Sequence, residues 1–309
     1  MSAASRPEIA ARAPVWPVHA ALLGAQTGFA LFPIFGKFAL ATIPPLVLAA
    51  IRVSLAALLL DLWRRAATSE RIAPGDRGAV FLCAVLGVSI NQVFFILGLN
   101  WSTAINTSIL TATIPIFTLA AAVVLGRERL TGRAAAAILL AGAGALVLLQ
   151  VHRFDWHSRH LVGNLLLLAN SLSYSFYLVL ARPLLARYRP LTVVAGIFLY
   201  GAPAIVLAAL PALARFHPRD VTAGSWWALA GVVLFPSILS YHANSWALAR
   251  TEASRVAFYV FLQPVISSAL AVAFLGEVLT ARTLVAAAFI LGGLATAVAR
   301  LPRRSEPRP

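Results

Sequence analysis

The sequence predicts an all-α membrane protein of ten transmembrane helices, arranged as two inverted-topology five-helix repeats. Three observations carry that expectation. Of 309 residues, 61% are hydrophobic and 11% charged, whereas soluble globular chains carry roughly 45–50% apolar and about 25% charged residues. The apolar residues fall into ten runs, each near the roughly 20 residues that cross a bilayer as a helix. A motif of the first half, TIPIFTLAAAVVLGRERLTGR (Thr113 to Arg133), also recurs in the second as LQPVISSALAVAFLGEVLTAR (Leu262 to Arg282).

Taken in order, the runs are 18–40, 46–63, 78–98, 104–125, 134–150, 161–181, 191–211, 226–248, 254–275 and 283–299. Turn signals separate them: Pro44-Pro45, Pro74-Gly75, Arg189-Pro190 and His217-Pro218. Residues 1–17 read as a cytoplasmic N-terminal tail and 301–309 as a cytoplasmic basic tail, around repeats at 18–150 and 161–300. The tail at 1–17 lacks the apolar core and small-residue cleavage site of a signal peptide, so the first span is expected to stay. Trp63, Trp101, Trp226 and Trp227 lie at span ends, as interfacial anchors do.

The net charge is +15. In a soluble chain this would suggest a nucleic-acid partner, but here the arginines sit in short loops between apolar runs. They report topology instead. With the N-terminus inside, 18 of the 25 Lys and Arg fall on the cytoplasmic side and six on the other, with Arg52 inside a span. Both termini are therefore expected in the cytoplasm, and the membrane is expected to be a bacterial inner membrane.

The two copies of the motif are in register at an offset of 149: Pro115 on Pro264, Glu128 on Glu277, Thr131 on Thr280, Arg133 on Arg282 and, in the next span, Gly144 on Gly293. An offset of 145 pairs Lys37 with Arg182 and Pro45 with Pro190. Five spans per repeat make the second repeat enter the membrane in the opposite sense. Inverted repeats are typical of secondary transporters, whose substrate site lies near the midplane between the halves. Pro115 and Pro264 are read as hinges or cavity walls, since neighbouring helices can satisfy the freed carbonyls. Glu128 with Thr131, and Glu277 with Thr280, suit the N-terminus of the span that follows each.

Polar side chains inside spans usually face the bundle interior or a wet cavity. Asn91 and Gln92 lie mid-way along the third run. At offset 149 they meet Ser240 and Tyr241, beside His242 and close to Asn244, in the eighth. Asn170, Tyr174 and Tyr177 share one face of the sixth at i, i+4, i+7. Gln26, ahead of Phe29, Phe32 and Phe35, offers a donor beside an apolar wall. Arg52 either snorkels to the surface or presents a cation to an anionic group. Interhelical hydrogen bonding that merely holds the bundle is the plainer alternative for all of these. The ten acidic residues lie in tails, loops or span ends. His242 is therefore the mid-span group that would serve proton coupling.

No Walker-type loop, HExxH, GxSxG or Cys/His metal pair is present, and the single cysteine, Cys83, lies in a span. No cofactor or metal is expected. An intramembrane enzyme would have to use Ser240, His242 and Ser245, with no acid nearby to orient the histidine. A scaffold would not need paired polar clusters at midplane.

Several stretches resemble a known family. NQVFFILGLNWSTAINTSILTATIPIFTLAAAVVLGRERLTGR (Asn91–Arg133), ANSWALARTEASRVAFYVFLQPVISSALAVAFLGEVLTAR (Ala243–Arg282) and PPLVLAAIRVSLAALLL (Pro44–Leu60), with Arg52 where such domains often carry an arginine, resemble the EamA domains of the drug/metabolite transporter superfamily. Asn91-Gln92 with its following aromatic run also resembles the plant nodulin-21-like transporters. The resemblance implies two tandem EamA domains and export of amino acids or related metabolites, or of purines, nucleoside-like compounds or drugs. Its partners would be a small-molecule substrate and the lipid bilayer. Gly142, Gly144, Gly292 and Gly293 could permit close helix approach within one chain or in a homodimer.

Overall fold

A computed structural model describes residues 15–127, 131–149, 158–250, 256, 259, 260 and 262–298. Glu128, most of the N-terminal tail and the tail at 301–309 lie outside the described residues. Among the described residues all regular structure is helical. Besides the short 3₁₀ turn Pro218–Asp220 it forms ten longer described segments: α1 Trp16–Leu40, α2 Pro45–Ala67, α3 Pro74–Trp101, α4 Ala104–Val124, α5 Gly132–Leu149, α6 Arg159–Arg187, α7 Pro190–Leu213, α8 Ala223–Leu248, α9 Leu262–Leu275 and α10 Ala281–Val298. Seven of them, α1–α4 and α6–α8, are 21 to 29 residues long and apolar enough to cross a membrane. Among the described residues α5, α9 and α10 are shorter apolar helices.

Local chemistry sets the ends of these helices. Pro45 and Pro190 stand at the first helical position, where the missing N–H costs nothing. Thr103 and Thr222 cap their helices by accepting from Asn106 N at 3.0 Å and Ser225 N at 3.3 Å. α4 and α9 are each followed by a glycine in the left-handed region, Gly126 at φ 66° and Gly276 at φ 65°. These glycines are 150 residues apart, one more than the prolines and glutamates.

Pairing of the helices follows the repeat. α5 packs on α10, α2 on α7 and α4 on α9; α1 packs on α8 and α9, as α6 does on α3 and α4. Exchanging each helix with the one five places along leaves this set of pairs unchanged. The α5–α10 contact shows why small residues are needed, since lipid supplies no hydrophobic drive to bring helices together and close packing must. A Cβ at Gly144 would lie 2.7 Å from the Ala286 carbonyl oxygen, and one at Gly293 would lie 2.8 Å from that of Ala137. Ala286 and Ala137 are themselves 149 residues apart, so one contact is the other with the halves exchanged. Gly142 and Gly292 face open space and have no such role.

Two departures from regular α-helix were not foreseen. Val85–Ile90 in α3 and Val233–Ser240 in α8 are π-helical, at equivalent positions in the repeat. α4 also breaks at Ala112–Thr113, just before Pro115, which then sits in the first turn of the continuing helix.

Candidate functional site

The π-helical segments lead directly into the polar pairs Asn91-Gln92 and Ser240-Tyr241. Single π turns inside α-helices are frequent at functional sites, and here each is followed by a buried residue of the cavity lining, Asn91 or Tyr241. Gln92 Nε2 donates to Tyr241 Oη at 2.9 Å and to Asn91 Oδ1 at 2.8 Å. Tyr241 Oη in turn donates to the Gly87 carbonyl, 3.1 Å away in the π segment of α3. Gln92 and Tyr241 stand 149 residues apart, at matching places in the two halves, so the bond between them joins the halves. Asn170 Nδ2, on α6, donates to the Asn91 carbonyl at 2.7 Å.

Arg52, on α2, is fully buried and does not snorkel. Its Nη1 donates to Gln92 Oε1 at 2.5 Å and its Nε to Ser237 Oγ at 2.7 Å. The guanidinium lies 3.9 Å from the centre of the Phe32 ring, which stacks on Phe95 at 4.1 Å. Its Nη2 is buried with no hydrogen-bond partner. Among the described residues no carboxylate pairs with it, and the ion pairs there belong to Asp61 and Asp76.

A cavity of about 460 Å³ opens above these groups. Its floor holds Arg52, Asn91, Gln92, Phe95, Tyr241 and Asn244, and its walls come from α1 with α9 and from α6 with α4. A second amide chain runs along one wall, from Gln263 Nε2 to Gln26 Oε1 and from Gln26 Nε2 to Asn244 Oδ1 at 3.2 Å. At one end the cavity reaches the exposed residues Arg127 and Arg182. At the other end of the bundle the described residues do not line the cavity, and hydrogen bonds tie helices together. There Glu277 accepts from Ala104 N at 2.7 Å and from Ile105 N at 2.9 Å, while Lys37 Nζ donates to the Ser102 carbonyl at 2.5 Å.

The expected site residues divide accordingly. Gln26, Arg52, Asn91, Gln92, Asn170, Tyr174 and Tyr241 line one cavity, as does Pro115. Tyr177 and Pro264 are buried outside the lining, with Tyr177 packed against Gly87. His242 also lies outside it, its ring 4.6 Å from that of Trp63. Thr280 caps α10 through Thr283 N at 3.2 Å, and the Thr131 carbonyl accepts from Ala135 N at 2.9 Å as α5 begins. Glu277 differs from its expected role. Its carboxylate meets the N-terminus of α4, in the other half of the chain, rather than that of α10.

Sequence reasoning did not single out Gln263, Phe95, Arg127 or Arg182 for the site. In the sequence Arg127 and Arg182 read as topology charges, Arg182 also as the counterpart of Lys37. Gln263 carried a weak signal, being a polar residue directly before the repeated proline where the first half has Ile114.

Comparison with known proteins places this geometry in context. The EamA-like transporter family matches residues 16–150 and 161–299. An uncharacterized transporter of Archaeoglobus fulgidus is 26% identical over 262 residues, covering 84% of this chain and 90% of its own. A protein of Streptantibioticus cattleyicolor named a probable terminal-alkyne amino-acid exporter is 29% identical over 223 residues, covering 71% of this chain and 72% of its own. A crystal structure shares the fold at a TM-score of 0.66, with 20% identity, over 91% of this chain and 96% of its own.

Proposed function

The chain belongs to the EamA-like transporter family, and on that premise we propose that it exports amino acids or related small metabolites by alternating access. It is a multi-pass integral membrane protein and a transporter, and the enzyme alternative falls away because the family and the named relatives are transporters. The observation that carries the proposal is the position of the cavity. It lies where the two halves meet, on a floor bridged by the equivalent residues Gln92 and Tyr241. A site between two such halves can be exposed alternately by exchanging the contacts of one half for those of the other.

In this reading ten spans form two inverted repeats, with both termini in the cytoplasm of a bacterial cell and the protein in its inner membrane. The open end, bearing Arg127 and Arg182, then faces the cytoplasm, and the end closed by Glu277 and Lys37 faces outward. This is the state in which an exporter loads. A cavity of about 460 Å³ falls within the roughly 300–1,000 Å³ usual for small-molecule sites. The amino-acid assignment is supported by the name of the Streptantibioticus cattleyicolor relative. Purines, nucleoside-like compounds or drugs are the second reading, favoured by the aromatic walls of Phe29, Phe95 and Tyr174.

Counterflow in proteoliposomes tests this, with a panel of radiolabelled amino acids and nucleobases at two pH values. Saturable exchange of an amino acid is the expected result. Failure of every amino acid to compete, with exchange of a nucleobase, would turn the assignment to the second reading.

A further inference from the structure

The charge on the cavity wall is one-sided. Three arginines line it, Arg52 at the floor and Arg127 and Arg182 at the mouth, and no Asp or Glu stands among the described lining residues. The other polar groups on the wall are neutral amides and hydroxyls. Burying a guanidinium is costly unless it is paired. Arg52 is fully buried, uses Nε and Nη1 on neutral partners, and leaves Nη2 without one.

We propose that the substrate carries a carboxylate, whose charge is held at the cavity floor by that of the buried Arg52, and that a free amino group is not needed. This rests on the carrier reading above and narrows it from amino acids to carboxylates with an apolar body. Where water is excluded, a cation with no carboxylate beside it attracts an anion more strongly than it would in water. The Phe32–Phe95 stack fixes the plane of the guanidinium, and Gln92 and Ser237 hold it from two further helices. Next to it Phe29, Phe95 and Tyr174 offer an apolar surface for the rest of the molecule. Among the described lining residues an ammonium group finds only neutral acceptors. Gln26 Oε1 and Asn244 Oδ1 are already engaged. At the mouth the two exposed arginines draw anions inward and repel cations.

The test uses the purified full chain and ligands of one shape but different charge: L-phenylalanine, N-acetyl-L-phenylalanine, phenylpyruvate and phenethylamine. Binding is measured by calorimetry in detergent and exchange by counterflow in proteoliposomes. Phenylpyruvate and N-acetyl-L-phenylalanine are expected to bind at least as well as phenylalanine, and phenethylamine at least tenfold more weakly. Arg52→Gln, checked for an unchanged size-exclusion profile, should abolish that preference, and Arg52→Lys should restore part of it. The wild-type ligand series decides the question even where the Gln variant does not fold. Phenethylamine binding as tightly as the carboxylates, or neither carboxylate binding, would overturn the proposal. So would a folded Arg52→Gln protein that keeps the preference. Counterflow of adenine or of phenethylamine in the same vesicles would leave the carrier reading standing while this narrower one fell.

Discussion

Removing the Glu277 carboxylate should loosen the closed end of the cavity, by an amount the structure lets us work out. Glu277 accepts from two N–H groups that begin α4, Ala104 and Ile105, at 2.7 and 2.9 Å. Both are orphan donors with no partner inside their own helix. A hydrogen bond to a charged group contributes roughly 1.5–3 kcal/mol when buried. Glu277 is half-buried, so about 1–1.5 kcal/mol for each is the sounder figure. The pair then favours the closed arrangement by about 2–3 kcal/mol, or roughly 30- to 150-fold in the ratio of closed to open. The assay is thiol reactivity at Ser102→Cys, a nearly isosteric change at a buried position beside the closure, in a Cys83→Ala background. Adding Glu277→Ala should raise the labelling rate by a factor in that range, and adding Glu277→Gln by less, since the amide oxygen still accepts. Equal labelling in all backgrounds would refute the idea that this carboxylate holds the end shut.

Further outcomes are expected elsewhere. Gly144→Val drives a side chain into the Ala286 backbone oxygen 2.7 Å away, and should cost about 1–3 kcal/mol by thermal unfolding in detergent. Gly142→Ala, which meets nothing within 4 Å, should leave the midpoint unchanged or raise it slightly. Gln92→Leu removes the acceptor for Arg52 and the donor to Tyr241 together, so ligand affinity should fall about tenfold or more, against little change for Thr192→Val, a buried position off the cavity. His242→Phe should keep ligand affinity within about threefold, because the imidazole packs on Trp63 and not on the cavity. A tenfold loss there would put it in the substrate's path, and its effect on the pH profile of counterflow reads the proton-coupling idea separately.

Helix placement was legible because the bilayer demands a physical property, an unbroken apolar run, that composition reports directly. α1–α4 and α6–α8 fall on seven of the ten runs, extended by a few polar or charged residues such as Arg64 and Arg187 at their ends. The repeat was legible from the shared register of Pro, Glu, Thr and Arg. The one-residue slip between the glycine pair and that register shows only in the backbone, where φ is positive. The π segments left almost no trace, since an extra residue per turn requires no distinctive side chain; Pro236 and Gly87 are the nearest hints. The depth of Arg52 could not be read either. Whether an arginine snorkels depends on what neighbouring helices offer it, and Phe32, Gln92 and Ser237 come from three of them. Glu277 was read toward its own next helix because capping rules look a few residues ahead, whereas its partners lie 173 and 172 residues away.

The hydrogen bond between Gln92 and Tyr241 joins equivalent positions but unlike side chains. The same holds around it: Asn91 answers Ser240, and Phe95 answers Asn244. Helices that pair alike in the two halves therefore surround a chamber that is chemically lopsided, with its fully buried cation, Arg52, on the first half. On the carrier reading proposed above, a solute would meet the same unequal walls whichever door it enters by. The direction of net flow would then be set by concentrations on the two sides, and the chamber itself would be indifferent to it.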